Sequence, residues 1–228
     1  MILEELRCKV LQTANLLPRY GLVWMAGGTV CARDPDSGLV VVTPSGLPYA
    51  DLTPADMVVT DKQMQVLDGK YRPSVALNLW AGILLSRPDI HAIVHTHSPH
   101  ATAFSVINEP IPVITETMAD WFGAPVPVAP YLHVEDPNFV ALPVNVLGQG
   151  FGVLLGNHGP ITAGFNLEHA LERAVTLEEA ARTYAIACTI GTPLALTVEQ
   201  SRMSFEYYLH RYGQKRDESD PGELHARV

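Results

Sequence analysis

His91-Ala-Ile-Val-His95-Thr-His97-Ser98-Pro-His100 is the stretch from which the rest of the chain is read. In a β-strand, side chains at i and i+2 leave the same face, so His95 and His97 project together. Ile90, Ala92, Ile93 and Val94 make the run apolar enough for a buried strand. Ser98-Pro99 then supplies an N-cap and a first helical residue, opening a helix through Ala101–Ile107. Two imidazoles side by side at the point where a strand gives way to a helix can share one divalent ion. Inside a core the same pair would simply hydrogen-bond, but a His-x-His at a strand end favours a metal.

Bulk properties bound the setting of that site. At 228 residues the chain is long enough for one sizeable core, and an α/β domain is the expectation. That domain is expected over residues 1–213, with a mobile C-terminal tail over 214–228. A net charge of −9 argues against a general nucleic-acid binder or an anionic membrane surface as partner, though a local pocket can still capture a small anion. Cys8, Cys31 and Cys188 are scattered, with no Cys-x-x-Cys, which points to a reducing cytoplasm. The opening Met-Ile-Leu-Glu-Glu-Leu-Arg carries acids where a signal peptide needs a basic and then an apolar run. No apolar stretch approaches the length that spans a bilayer.

Outward from the histidines, residues 2–17 hold Leu3, Leu6, Val10, Ala14 and Leu17 at helical spacing, with Pro18 as the expected end. Gly27-Gly28-Thr29 leads into a strand, Val30–Arg33, and Asp34–Gly38 signals a hairpin to Leu39–Thr43. Thr43-Pro-Ser45-Gly46 is a tight turn. Leu52–Asp56 reads as a short helical turn before the strand Met57–Thr60, and Lys62–Lys70 as a polar loop or hairpin. Ser74 stands at the N-cap position of an apolar helix, Val75–Leu85, whose start is a natural anion site. Ile111–Thr115 reads as a strand. It is followed by Glu116-Thr-Met-Ala-Asp120-Trp-Phe, two carboxylates in an otherwise apolar segment. Residues 125–143 are proline-rich and read as irregular, with one short strand. Phe151–Gly156 is a buried strand ending at Asn157-His158-Gly159. Asn166 opens the longest helix, Leu167–Ile190, with Glu168, Glu172, Glu178 and Glu179 on polar positions. The last element is an aromatic-rich helix, Val198–Tyr212.

Three histidines therefore lie at strand ends: His95, His97 and His158. Three neutral imidazoles leave a coordination position open, which describes a catalytic rather than a structural metal site. His91, His100, His133, His169, His210 and His225 read as surface or packing residues.

Here the sequence resembles the class II aldolases, a family that includes L-fuculose-phosphate aldolase, L-ribulose-5-phosphate 4-epimerase and the adducin head. Thr43-Pro-Ser-Gly46, Leu52-Thr-Pro-Ala-Asp56, Arg72-Pro-Ser74, His95-Thr-His-Ser98, Ala119-Asp120, His158-Gly-Pro160 and Leu177-Glu-Glu-Ala180 carry the resemblance, in the family's order. It implies a three-layer α/β/α domain with a mainly antiparallel central sheet. It also implies a Zn²⁺ ion (Mn²⁺ or another divalent ion being an alternative) and a homotetramer with active sites between subunits. The metal histidines carry over to His95, His97 and His158. The phosphate cradle carries over to Gly28, Thr29, Ser45, Gly46 and Ser74. Ala119-Asp120 is similar to the epimerase branch, where that Asp is an acid/base in a neighbouring subunit's site. The epimerase's C-terminal Tyr corresponds to Tyr212, with Tyr207 and Tyr208 as alternatives.

The departures are specific. The family's Ser-Ser followed by Glu or Asp reads Ser74-Val75-Ala76 here, so the usual acid/base carboxylate is replaced by a methyl group. Gly-Asn of the phosphate turn is Gly28-Thr29, and a family His before Ala119 is Met118. The resemblance implies a metal-dependent enzyme that works through an enediolate, on a C–C bond beside a ketose carbonyl. An epimerase or aldolase acting on a sugar phosphate is the first expectation, with Asp120 moving the proton and Glu116 as a second possible acid. A decarboxylase or aldolase on a hydroxy-keto acid or an unphosphorylated substrate is the second. A non-catalytic, adducin-like binding protein is the third.

Overall fold

The computed structural model describes residues 1–213; the segment 214–228, expected as a mobile tail, lies outside the described residues. In chain order the elements begin with α1 (Glu4–Arg19), β1 (Thr29–Arg33), β2 (Val40–Val42), β3 (Val58–Thr60) and β4 (Val66–Asp68). Then come α2 (Leu77–Ser86), β5 (Ala92–His95), α3 (Pro99–Ile107), α4 (Glu116–Phe122), β6 (Val128–Ala129) and α5 (Ala141–Leu147). The chain closes with β7 (Gly152–Leu155), β8 (Gly159–Gly164), α6 (Leu167–Ile190) and α7 (Val198–Arg211). The strands form one sheet in the order β4-β3-β2-β1-β5-β8-β7-β6. Every pairing is antiparallel except β6 with β7.

Alternation of side chains along the strands divides the core in two. Val30, Ala32, Val41, Val59, Ala92 and Val94 face α1 and the first turns of α6. Cys31, Val40, Val42, Val58, Ile93, Val153, Ile161 and Ala163 face α2, α3, α4 and α5. Helices thus cover both faces of a mainly antiparallel sheet, the three-layer α/β/α arrangement that the resemblance implied. His95 ends β5, a central strand, with Thr29 of β1 opposite it on one side and Ile161 of β8 on the other.

The expected elements need several corrections. Pro18 does not end α1: the helix runs one residue further, to Arg19, without the one bond that the Pro18 nitrogen cannot donate, and Gly21 then adopts φ 68. Ile111–Thr115 forms no strand. Pro110 and Pro112 have no N–H to donate, so pairing shrinks to a single bridge between Ile111 and Val126. Part of the segment expected as irregular becomes α5, and residues 116–122 become α4. β8 went unread: Gly159-Pro-Ile-Thr-Ala-Gly164 lacks a bulky apolar run, yet it is buried throughout between β5 and β7. Finally, Ser74 is not the cap of α2. A tight turn, Leu77 N–H to Ser74 C=O at 3.1 Å, moves the N-cap to Ala76.

Candidate metal centre

His95 is buried at the end of β5, 5.5 Å from the Trp80 ring. Its Nδ1 lies 3.0 Å from the Pro160 carbonyl, an acceptor only, so Nδ1 carries the proton and Nε2 presents its lone pair. That Nε2 is 3.1 Å from Nε2 of His97. His97 sits just past the strand, its backbone N–H donating to Leu22 C=O at 3.2 Å. Its ring lies against Gly27, where a Cβ would come within 3.1 Å of Nδ1. A side chain at Gly27 would press on the His97 ring.

His158 reaches the same point from the turn between β7 and β8. Asn157 adopts φ 53, a left-handed conformation that Asn tolerates, and His158 N–H donates to Leu155 C=O at 3.0 Å. The three ring centroids are 4.8–4.9 Å apart, and the three ligand atoms lie within 4.8 Å of one another. Burial lowers the pKa of all three, His95 furthest, with the neighbouring imidazoles adding to the effect at His95 and His158. Each ring is thus held neutral near pH 7, the state that binds a cation. Three neutral imidazoles, one with its tautomer fixed by a backbone carbonyl, fit Zn²⁺ or a similar divalent ion and leave room for a further ligand.

Of the residues expected to hold phosphate, Thr29 and Ser74 meet directly, with hydroxyl oxygens 3.1 Å apart. Trp80 Nε1–H donates to the same Ser74 oxygen at 3.2 Å. Since Trp80 also borders His95, a hydroxyl chain runs beside the histidines. Gly28, at φ 145, lets the backbone pass where a Cβ would meet Val23 and the His95 carbonyl. Ser45 and Gly46 dock on the segment before Ser74 through Ser45 N–H to Arg72 C=O at 2.9 Å and the bridge Pro44–Pro73. Ala76, at the cap of α2, offers no lone pair.

Asp120 and Tyr212 each neighbour Tyr208. Asp120 lies on α4, its pKa raised by burial and by Glu116 one turn earlier. Tyr208 of α7 stands between the rings of Trp121 and Tyr212, each 4.9 Å away, and its hydroxyl is pushed up to about 12 by burial and by surrounding acids that include Asp120. The chain thus presents two groups, the histidine cluster and an α4–α7 patch. Glu116 lines a crevice of that patch with Leu196, Gln200, Met203 and Ser204.

Two neighbours of the site went unread in the sequence. Trp80 gave no signal, being one apolar residue of an apolar helix. Glu178 did: Ala174, Leu177, Glu178 and Ala181 share one helical face, and all four are buried. Assigning Glu178 to a polar position was an error of phase.

The profile of the Class II Aldolase and Adducin N-terminal domain matches residues 8–185. L-ribulose-5-phosphate 4-epimerase UlaF of Salmonella paratyphi B is 32% identical over 222 residues, which are 92% of this chain and 96% of that protein. Among solved structures, an L-fuculose 1-phosphate aldolase aligns with a TM-score of 0.85 at 26% identity, covering 90% of this chain and 96% of the other. YgbL of Klebsiella pneumoniae, whose activity is described only as aldolase, epimerase or decarboxylase, aligns with a TM-score of 0.79 at 27% identity. That match covers 89% of this chain and 99% of the other.

Proposed function

The chain belongs to the class II aldolase and adducin N-terminal domain family, and on that premise we propose that it is a metal-dependent enzyme working on a C–C bond beside a ketose carbonyl. The convergence of His95, His97 and His158 carries the reading. His95, His97 and His158 would hold a divalent ion, Zn²⁺ in the first instance, which would supply Lewis acidity at a ketose carbonyl. The chain's own residues do the rest. The neutral imidazoles fix the donor geometry, and the Pro160 carbonyl keeps His95 in one tautomer. The hydroxyls of Thr29 and Ser74, with Ser45 and Gly46, hold the substrate's phosphate end.

Asp120 and Tyr212 move the proton in a neighbouring subunit's site, in a homotetramer. Their placement on α4 and at the end of α7, beside Tyr208 and on other elements than those that carry the histidines, supports an intersubunit arrangement. A sugar phosphate is the preferred substrate class because the epimerase and aldolase relatives are named for such substrates.

A second reading, a decarboxylase or aldolase on a hydroxy-keto acid or an unphosphorylated substrate, has its own support. Ala76 removes the usual acid/base, and no Lys or Arg stands among the five cradle residues, although a phosphate dianion ordinarily gains from one. Loss of CO₂ needs no base at the substrate. The test is turnover of ketose phosphates and their unphosphorylated counterparts by the wild type and by Asp120→Asn. Phosphate-dependent turnover abolished in Asp120→Asn supports the epimerase; a fully active variant contradicts it.

A further inference from the structure

α3 starts two residues after His97, and its own residues leave its N-terminus uncapped. The Ser98 side chain makes no capping bond, its hydroxyl being paired with Thr96 at 3.3 Å, and Pro99 has no N–H. The next two N–H groups, of His100 and Ala101, both donate to one carboxylate across the core, that of Glu178 on α6, at 3.1 and 2.9 Å. The His100 Nδ1–H donates to the same group at 2.7 Å. Glu178 is only 7% exposed. A helix start offers unpaired N–H groups and a partial positive charge, and a carboxylate answers both.

We infer that Glu178 is a positioning residue for the metal centre, acting through α3 on His97 and His158. This rests on the metal reading proposed above. His95 is held by strand pairing on both sides and needs no further support. His97 is outside any strand and hangs between the Leu22 carbonyl and the first turn of α3. The turn carrying His158 leans on the same helix, with Asn157 N–H donating to Ser105 C=O at 3.3 Å. One carboxylate therefore pins the helix on which two of the three ligands depend. Packing α3 against α6 would not require it, since an apolar residue joins two helices without the cost of burying a charge.

The test measures metal binding rather than turnover. Zn²⁺ affinity is read by chelator competition, and ligand geometry by the visible absorption of the Co²⁺-substituted protein. The expected result is that Glu178→Ala weakens Zn²⁺ binding about tenfold, in the range seen for groups that orient ligands, and alters the Co²⁺ spectrum. Thr197→Ala, which removes the side-chain cap of α7, should destabilise the fold without moving either reading. If Glu178→Ala does not fold, Glu178→Gln carries the test, since an amide oxygen keeps part of the cap but not the charge. Unchanged affinity and spectrum in a folded Glu178 variant overturns the inference while leaving the metal reading intact. No Zn²⁺ or Co²⁺ bound by the wild type removes the metal reading itself, and this inference with it.

Discussion

A histidine whose Nδ1 faces a backbone carbonyl has its tautomer decided before any ligand arrives, and His95 is in that position. The three histidines were legible because each lies at or just past the end of an apolar run, His95 closing β5, His97 following it and His158 in the turn after β7. The Pro160 carbonyl was not legible, because it belongs to the backbone of a strand whose sequence concealed it. Gly159 shows what the site demands of single residues: a Cβ there would lie 2.3 Å from the carbonyl oxygen of Thr96, the residue between His95 and His97. Gly159→Ala should cost about 1–3 kcal/mol by overpacking, read from denaturant midpoints, and should weaken metal retention; full stability would show that the neighbours yield. A carboxylate far from the site makes a separate prediction. Hydrogen bonds from Lys70 and Thr53 hold Asp56 at about 2, below its ordinary 3.8. Its folded pKa is the lower one, so its contribution is complete above pH 3.8 and is lost as pH falls toward 2. Stability measured from pH 5 downward should fall less steeply in Asp56→Asn than in the wild type, and equal slopes would contradict this.

At the scale of elements, helical spacing sufficed for α1, and an unbroken apolar run, buried on both faces, for β5. Both signals failed where small residues or prolines obscure the pattern. β8 is buried by its neighbours, not by its own bulk. α5 forms despite Pro143, which falls in its first turn where no N–H is needed. Ser74 missed the cap of α2 by two residues, and its hydroxyl serves Thr29 and Trp80 instead. One side chain joins three elements. The Arg173 guanidinium of α6, 3.8 Å from the Phe151 ring centroid, donates to Trp121 C=O at the end of α4 and to Ala163 C=O on β8. Burial lowers its pKa to about 9, so it remains charged at neutral pH. Arg173→Ala orphans two buried carbonyls and should cost on the order of 3 kcal/mol, with α4 loosening first in hydrogen exchange. Uniform exchange at wild-type stability would contradict that role.

Across the whole molecule, the candidate residues lie on different elements: the histidines on β5, the loop after it and the β7–β8 turn, and Asp120 and Tyr212 on α4 and at the end of α7. The layered fold was legible through the family resemblance, since strand order and handedness leave little trace in local sequence. The protein should sediment as four copies of the 24.8 kDa chain, and mixing Asp120→Asn with His95→Ala should restore part of the activity that each variant lacks alone. A monomer that turns over substrate would contradict intersubunit catalysis. Beneath all of this lies the metal. Elemental analysis of the purified protein and of His95→Ala tests it most directly: about one Zn²⁺ or Mn²⁺ per chain, lost in the variant, is the expected result. No bound metal, and none recovered on reconstitution, would contradict the account and leave His95, His97 and His158 as a cluster without an ion.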